Sequence, residues 1–173
     1  VQAIEQIIHL KRSDVLVGVL PLFHSFGYTV CLWAVMCLDV KGVYHFNPLE
    51  AKQVGKLVKK HGGTVMLVTP TFLRTYLRRC DVDEFATLDA IVTGAEKLPK
   101  DLSDAFKAKF GVRPVEGYGT TELSPVVSAN IPPSRSPSGK AGGWKEGTVG
   151  RPAPGVSAKV TDLDTGKELG AGH

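Results

Sequence analysis

Five short segments of this chain, 15–20, 42–46, 64–69, 88–94 and 113–119, are mostly apolar, and stretches with helical spacing separate them. Strands that face helices on both sides read as unbroken apolar runs, whereas half-exposed strands alternate. Strand and helix in strict alternation lead to a parallel sheet with right-handed crossovers. The expected fold is therefore α/β, a parallel sheet flanked by helices. The helical stretches carry their own signals. "GYTVCLWAVMCLDV", 27–40, reads as a buried helix and is too short to span a bilayer, which takes about 20 apolar residues. In "NPLEAKQVGKLVKKHG", Asn47 is expected as the N-cap, with Pro48 at the first helical position and Glu50 three residues after the cap. Val54, Leu57 and Val58 form its inner stripe, and Gly62 and Gly63 end it. Helices are also expected over 70–80 and 98–111, the second stopped by Gly111. Hydrophobic residues make up 43% of the 173, enough for a core and too many for a disordered chain. The composition changes at 132–146, rich in Pro, Gly and Ser, and a hairpin-like "DLDTGKE" follows. This divides the chain into an α/β subdomain over 1–131, a loop over 132–146, and the start of a small antiparallel β module over 147–173.

In parallel sheets, ligands gather at the carboxyl ends of the strands. Three loops leave that edge: "PLFHSFG" at 21–27, "TGAEKLP" at 93–99 and "EGYGTTE" at 116–122. The last is the most specific chemically. Tyr118 stands between Gly117 and Gly119, where the backbone can come close and the ring can offer its face to a flat base. Thr120 and Thr121 bring hydroxyls suited to phosphate oxygens. Glu122 is a ligand for a hard cation such as Mg2+, which takes one or two carboxylates and completes its shell with phosphate and water. The other reading of this loop is a glycine turn into a helix capped by Thr. At the second loop, Gly94 and Ala95 allow backbone contact with a ligand edge, and Glu96 is either part of that contact or a solvated acid. His24 is either a core histidine or a group that orients a carboxylate.

The formal charge is +4, and its distribution matters more than its sum. Lys52, Lys56, Lys59, Lys60, Arg74, Arg78 and Arg79 occur between 52 and 79 with no acid among them. This is a solvated helix face or a docking surface for an acidic partner. Nucleic acid is not expected, because no aromatics interleave with these charges. Cys31, Cys37 and Cys80 form no CxxC pair, so free buried thiols in a reducing compartment are expected, without structural zinc.

Together, "PLFHSFG", "TGAEKLP", "GYGTTE" at 117–122 and "GTVGRPAPG" at 147–155 resemble, in order, the motifs of the adenylate-forming enzymes, the acyl-CoA synthetase and ligase superfamily. Within it, "LPLFHSFG", "TPTFLRTYLRRC" and "EGYGTTELSPVVS" are most similar to long-chain fatty acid ligases. They are similar above all to the synthetase part of the bifunctional acyl carrier protein synthetase and 2-acylglycerophosphoethanolamine acyltransferase. The resemblance implies ATP and Mg2+ as co-substrate and cofactor, a fatty acid as substrate, and coenzyme A or a phosphopantetheine thiol as acceptor. It implies that Tyr118 stacks on adenine. Gly94, Ala95 and Glu96 would line the adenine and ribose, with Glu116, Gly117 and Gly119 beside them. Thr120 and Thr121 would meet the phosphates, Glu122 the metal, and His24 the fatty acid carboxylate. Phe26 and the helix after it would line the acyl tunnel. An acyl carrier protein would dock on the basic region at 52–79. The setting implied is cytoplasmic, with the whole protein at the inner face of a membrane.

The family's phosphate loop, its ribose-binding aspartate and its catalytic lysine have no counterpart in these residues. A charge-assisted hydrogen bond contributes roughly 1.5–3 kcal/mol, so three absent partners cost on the order of 4.5–9 kcal/mol. The 173 residues alone are expected to be inactive. The alternative is a nucleotide- or acyl-binding module without chemistry.

Overall fold

The computed structural model describes residues 1–136 and 143–170. Residues 137–142 of the expected loop at 132–146, and 171–173 of the C-terminal module, lie outside the described residues. Seven strands form the main sheet: β1 (Val15–Gly18), β2 (Lys41–Tyr44), β3 (Val65–Val68), β4 (Ala90–Thr93), β5 (Pro114–Gly119), β6 (Val126–Ala129) and β7 (Arg151–Pro152). Their order is β2-β1-β3-β4-β5-β6-β7, parallel from β2 to β5. Strands β6 and β7 add antiparallel. A separate hairpin pairs β8 (Val160–Thr161) with β9 (Glu168–Leu169), where the "DLDTGKE" signal lies.

Alternate strand residues face opposite ways and make two cores. Val17, Met66, Val68 and Ile91 pack against three helices: α3 (Ala51–His61), α4 (Pro70–Arg79) and α5 (Lys100–Phe110). Phe85, Phe106 and Phe110 fill the space between them, with ring centroids 4.6–6.1 Å apart. Leu16, Val65, Leu67 and Val92 face the other side, where α1 (Gln2–Ile8) and α2 lie. Helix α2 opens as an α-turn at Ser25–Gly27, widens to π over Tyr28–Trp33, and returns to α over Ala34–Leu38.

Several local expectations are corrected. Helix α2 is buried along Gly27, Val30, Cys31 and Ala34, while Tyr28, Trp33 and Met36 are exposed. Cys37 is exposed with it. Cys31 and Cys80 are the buried thiols, pushed up by burial to about 11 and about 12. Asn47 does not cap a helix. Its Oδ1 accepts from the Leu49 N–H at 3.1 Å, an Asx turn, and α3 starts after Glu50. The side chain found a nearer backbone donor two residues on, so the helix begins later. The basic stretch is partly neutralised from just beyond its end. Lys52 pairs with Asp81 at 2.7 Å and Lys59 with Asp83 at 2.5 Å. Those acids lie at the start of a 3-10 turn, Val82–Phe85, that the sequence pattern did not signal; Gly55 on α3 leaves room for its Glu84 carboxylate. Helix α1 was also unforeseen.

Candidate functional site

The cavity of interest, about 350 Å³, opens at the carboxyl ends of β4 and β5. All three loops that the strand pattern placed there contribute to it. His24, Gly94, Ala95, Gly117, Tyr118, Gly119, Thr120, Thr121 and Glu122 all line it. Glu96 and Glu116 do not. Glu96 is exposed and accepts a hydrogen bond from the Thr71 hydroxyl at 2.7 Å. Glu116 offers its backbone carbonyl to Asn130, whose N–H and Nδ2 both donate at 3.0 Å.

The glycine-rich loop neither leaves a strand at random nor enters an α-helix. Tyr118 and Gly119 still belong to β5, paired with Ser128 and Val126 of β6 across a bulge. Thr120 occupies the cap position of a three-residue 3-10 turn, Thr121–Leu123, but its hydroxyl caps nothing. Ser124, at φ 61°, turns the chain back. The alternative of a Thr-capped helix is thus replaced by the tip of an antiparallel hairpin. Gly119 is required there by contact, because a Cβ would sit 1.7 Å from the Pro125 carbonyl oxygen. The turn leaves the Thr120 hydroxyl without a partner among the described residues, in the cavity that Glu122 and Tyr118 also line.

The first loop closes against this hairpin. Ser25 Oγ and Thr121 Oγ1 are 3.0 Å apart. His24 is exposed, lines the cavity and caps α2: its Nδ1 accepts from the Phe26 N–H at 3.2 Å. With Nδ1 so engaged, the neutral ring carries its proton on Nε2. That leaves one directional donor free at the cavity. Phe26 lies over Gly94, whose missing side chain makes room for the ring; a Cβ there would meet it at 3.2 Å. Ala95 holds a left-handed backbone, φ 68°, which costs a non-glycine residue about 1–2 kcal/mol. Such strain concentrates where a loop must aim its backbone at something.

The same cavity also has an apolar lining: Ile4, Ile7 and Ile8 of α1, Leu67 of β3, Val92 of β4, and Val126 of β6. The sequence carried the signal for α1 in "IEQII", apolar at i, i+3 and i+4, and for β6 in the β-branched "VV" after Pro125. Ser25 stood unremarked between two conspicuous neighbours.

A family model described as AMP-binding enzyme matches residues 1–173. This chain belongs to the AMP-binding enzyme family. Within that adenylate-forming family, it is 32% identical over 170 residues to a probable 4-coumarate–CoA ligase 3 of Dictyostelium discoideum, covering 94% of this chain and 28% of that protein. It is 28% identical over 165 residues to a long-chain-fatty-acid–CoA ligase of Bacillus subtilis, covering 91% of this chain and 27% of the relative. The crystal structure of apo MatB from Rhodopseudomonas palustris superposes with a TM-score of 0.84 at 26% identity, over 99% of this chain and 32% of that one. The chain thus spans under a third of the length of these AMP-binding relatives. Its sheet and helices match the N-terminal domain of adenylate-forming enzymes.

Among the described residues, no group of three or more His, Cys, Asp or Glu is placed to hold a metal ion. Magnesium bound to a nucleotide does not need one, since phosphate oxygens and water fill most of its shell. Glu122 is the one carboxylate among the described residues that line the cavity, and it fits that requirement. No helix among the described residues is long and apolar enough to cross a membrane.

Proposed function

We propose that this chain supplies the adenylation half-site of an ATP-dependent acid–thiol ligase whose acid is a long-chain fatty acid. One observation carries the reading. The Tyr118 ring, the Thr120 and Thr121 hydroxyls, the Glu122 carboxylate and His24 line the same cavity as the apolar side chains of Ile4, Ile7, Ile8, Leu67, Val92 and Val126. An adenylated fatty acid joins the same two kinds of surface. The fatty acid carboxylate attacks the α-phosphorus of ATP, the bond to the bridging oxygen breaks, and pyrophosphate leaves. A thiol then attacks the acyl carbon and AMP departs. The Tyr118 face receives adenine, and the backbone at Gly94 and Ala95 borders it. The Thr120 and Thr121 hydroxyls donate to phosphate oxygens. The His24 Nε2–H donates to the attacking carboxylate and fixes its direction, which is the entropic part of the acceleration. Glu122 holds Mg2+, whose charge, when bound, offsets the charge that builds on the phosphates.

The acceptor is coenzyme A or the phosphopantetheine arm of an acyl carrier protein. For a carrier protein, the surface that remains basic after the pairing of Lys52 and Lys59 is Lys56, Lys60, Arg74, Arg78 and Arg79. None of these five makes an ion pair among the described residues. Reversing these five charges should weaken carrier binding and leave coenzyme A kinetics unchanged; equal carrier affinity after reversal would remove this acceptor. The setting proposed is the cytoplasm, at the inner face of a membrane. We keep the division at 131 and 147 as a proposal, to be checked by where limited proteolysis cuts.

The test of the ligase reading is pyrophosphate release by the whole protein with ATP, Mg2+ and a series of fatty acids, beside Glu122→Ala. Release that peaks with long chains and falls about a hundredfold or more in the variant is expected. Absence of release with every acid would overturn it.

A further inference from the structure

The apolar lining of the cavity is built as a wall. Ile4, Ile7 and Ile8 are 3%, 7% and 3% exposed and form a single stripe along α1. They face Leu67 and Val92, which sit side by side in the β3–β4 ladder. A seven-residue helix has little stability of its own. Its C-terminal end is tied down away from the cavity. His9 closes it in a left-handed conformation, φ 51°, and the His9 carbonyl accepts from Arg135 Nη1 at 3.3 Å. Arg135 is itself held in two bonds of 2.8 Å by Asp14. The stripe is thus pinned to the sheet through a buried ion pair. Isoleucine is branched at Cβ and nearly fixed at χ1, so this wall yields less than leucine or methionine would.

We infer that Ile4, Ile7 and Ile8 set the length of acyl chain that the cavity accepts, and are specificity-determining residues for the acid substrate. This rests on the ligase reading above. The stripe packs in one apolar cluster with Leu67, Val92 and Ala129 and shares no residue with the glycine-rich loop, so it is placed to gauge the apolar part of the acid. A chain whose terminal methyl reaches the wall gains full apolar contact. One carbon more must displace a fixed side chain, and a single methylene in such a pocket changes relative kcat/KM by about 10–200-fold.

The experiment is kcat/KM for straight-chain saturated acids of graded length, measured on the whole protein and on Ile7→Ala, Ile8→Ala and Ile8→Phe. The alanine variants should favour longer acids by about tenfold relative to the wild-type optimum. The phenylalanine variant should shift the optimum the other way, and KM for ATP should stay unchanged throughout. A chain-length profile that does not move, or a uniform loss with every acid, overturns the inference. Should an alanine variant not fold, Ile8→Val carries the same comparison with a smaller shift. If the wild type releases no pyrophosphate with any acid, the ligase reading fails separately. The wall is then read by calorimetric affinity for straight-chain alcohols of graded length, and an identical rank order in wild type and variants overturns it.

Discussion

The two ends of the sheet treat polar groups in opposite ways. At the amino end, Arg135 is 5% exposed and Asp14 3% exposed, and each is saturated by the other. Asp14 also takes the Lys11 N–H at 2.7 Å and the Thr64 hydroxyl at 2.8 Å, and Asp89 bonds Arg135 from the side. At the carboxyl end, the Thr120 hydroxyl has no partner, the Glu122 carboxylate is exposed, and Ala95 and Ser124 hold left-handed backbones. One end uses its charges to fasten four chain segments together. The other leaves them unspent and accepts strain to aim them. A closed network stabilises a fold, whereas open groups in a shaped cavity await a ligand.

Each end can be broken separately. Removing Arg135 strands a buried carboxylate, so Arg135→Leu should cost about 3–5 kcal/mol, read from the urea midpoint. Glu122→Ala should do the reverse: pyrophosphate release falls about a hundredfold, close to 2.7 kcal/mol in the barrier, while the urea midpoint hardly moves. A large loss of stability there would mean that the carboxyl end is structural after all.

Acid sharpens the contrast. Burial alone would raise the Asp14 carboxyl. The Arg135 guanidinium, the Lys11 N–H and the Thr64 hydroxyl outweigh it and hold the group below its ordinary 3.8. A lowered folded value contributes stability that is present above the unfolded value and lost as pH falls through the folded one. Wild type should therefore lose stability increasingly below about pH 4. In Arg135→Leu only the Lys11 N–H and the Thr64 hydroxyl remain to oppose burial, the folded value of Asp14 rises, and the gap to wild type should narrow on acidification. A constant gap from pH 7 to pH 3 would contradict this account. The smallest effect belongs to the strained backbone. Ala95→Gly should relieve the left-handed conformation and raise stability by about 0.5–1 kcal/mol, net of glycine's greater freedom when unfolded.

Much of the fold was legible because its signals are local. The runs at 15–20, 64–69 and 88–94 announced strands buried on both faces, and Gly111 at φ 79° ends α5 where its pattern stopped. "GYGTTE" and "PLFHSFG" stood out through residue types that packing does not explain, and both line the cavity. Asn47 misled because its side chain had two backbone partners to choose from, and local sequence does not rank them. The lysine face misled in a similar way, since Asp81 and Asp83 fold back on it from beyond the stretch that looked purely basic.

By itself, then, the sequence determined the five strands β1 to β5, that they run parallel through helical crossovers, and that three loops leave the same edge. Periodicity and residue type are carried by neighbours along the chain, so they can be read there. Only the tertiary structure decided that β6 returns antiparallel beside Tyr118, that α1 lines the cavity, and that Arg135 finds Asp14 across 121 residues of chain. These are pairings between distant segments. Each depends on the free energy of the whole packed arrangement, which no short stretch of residues records.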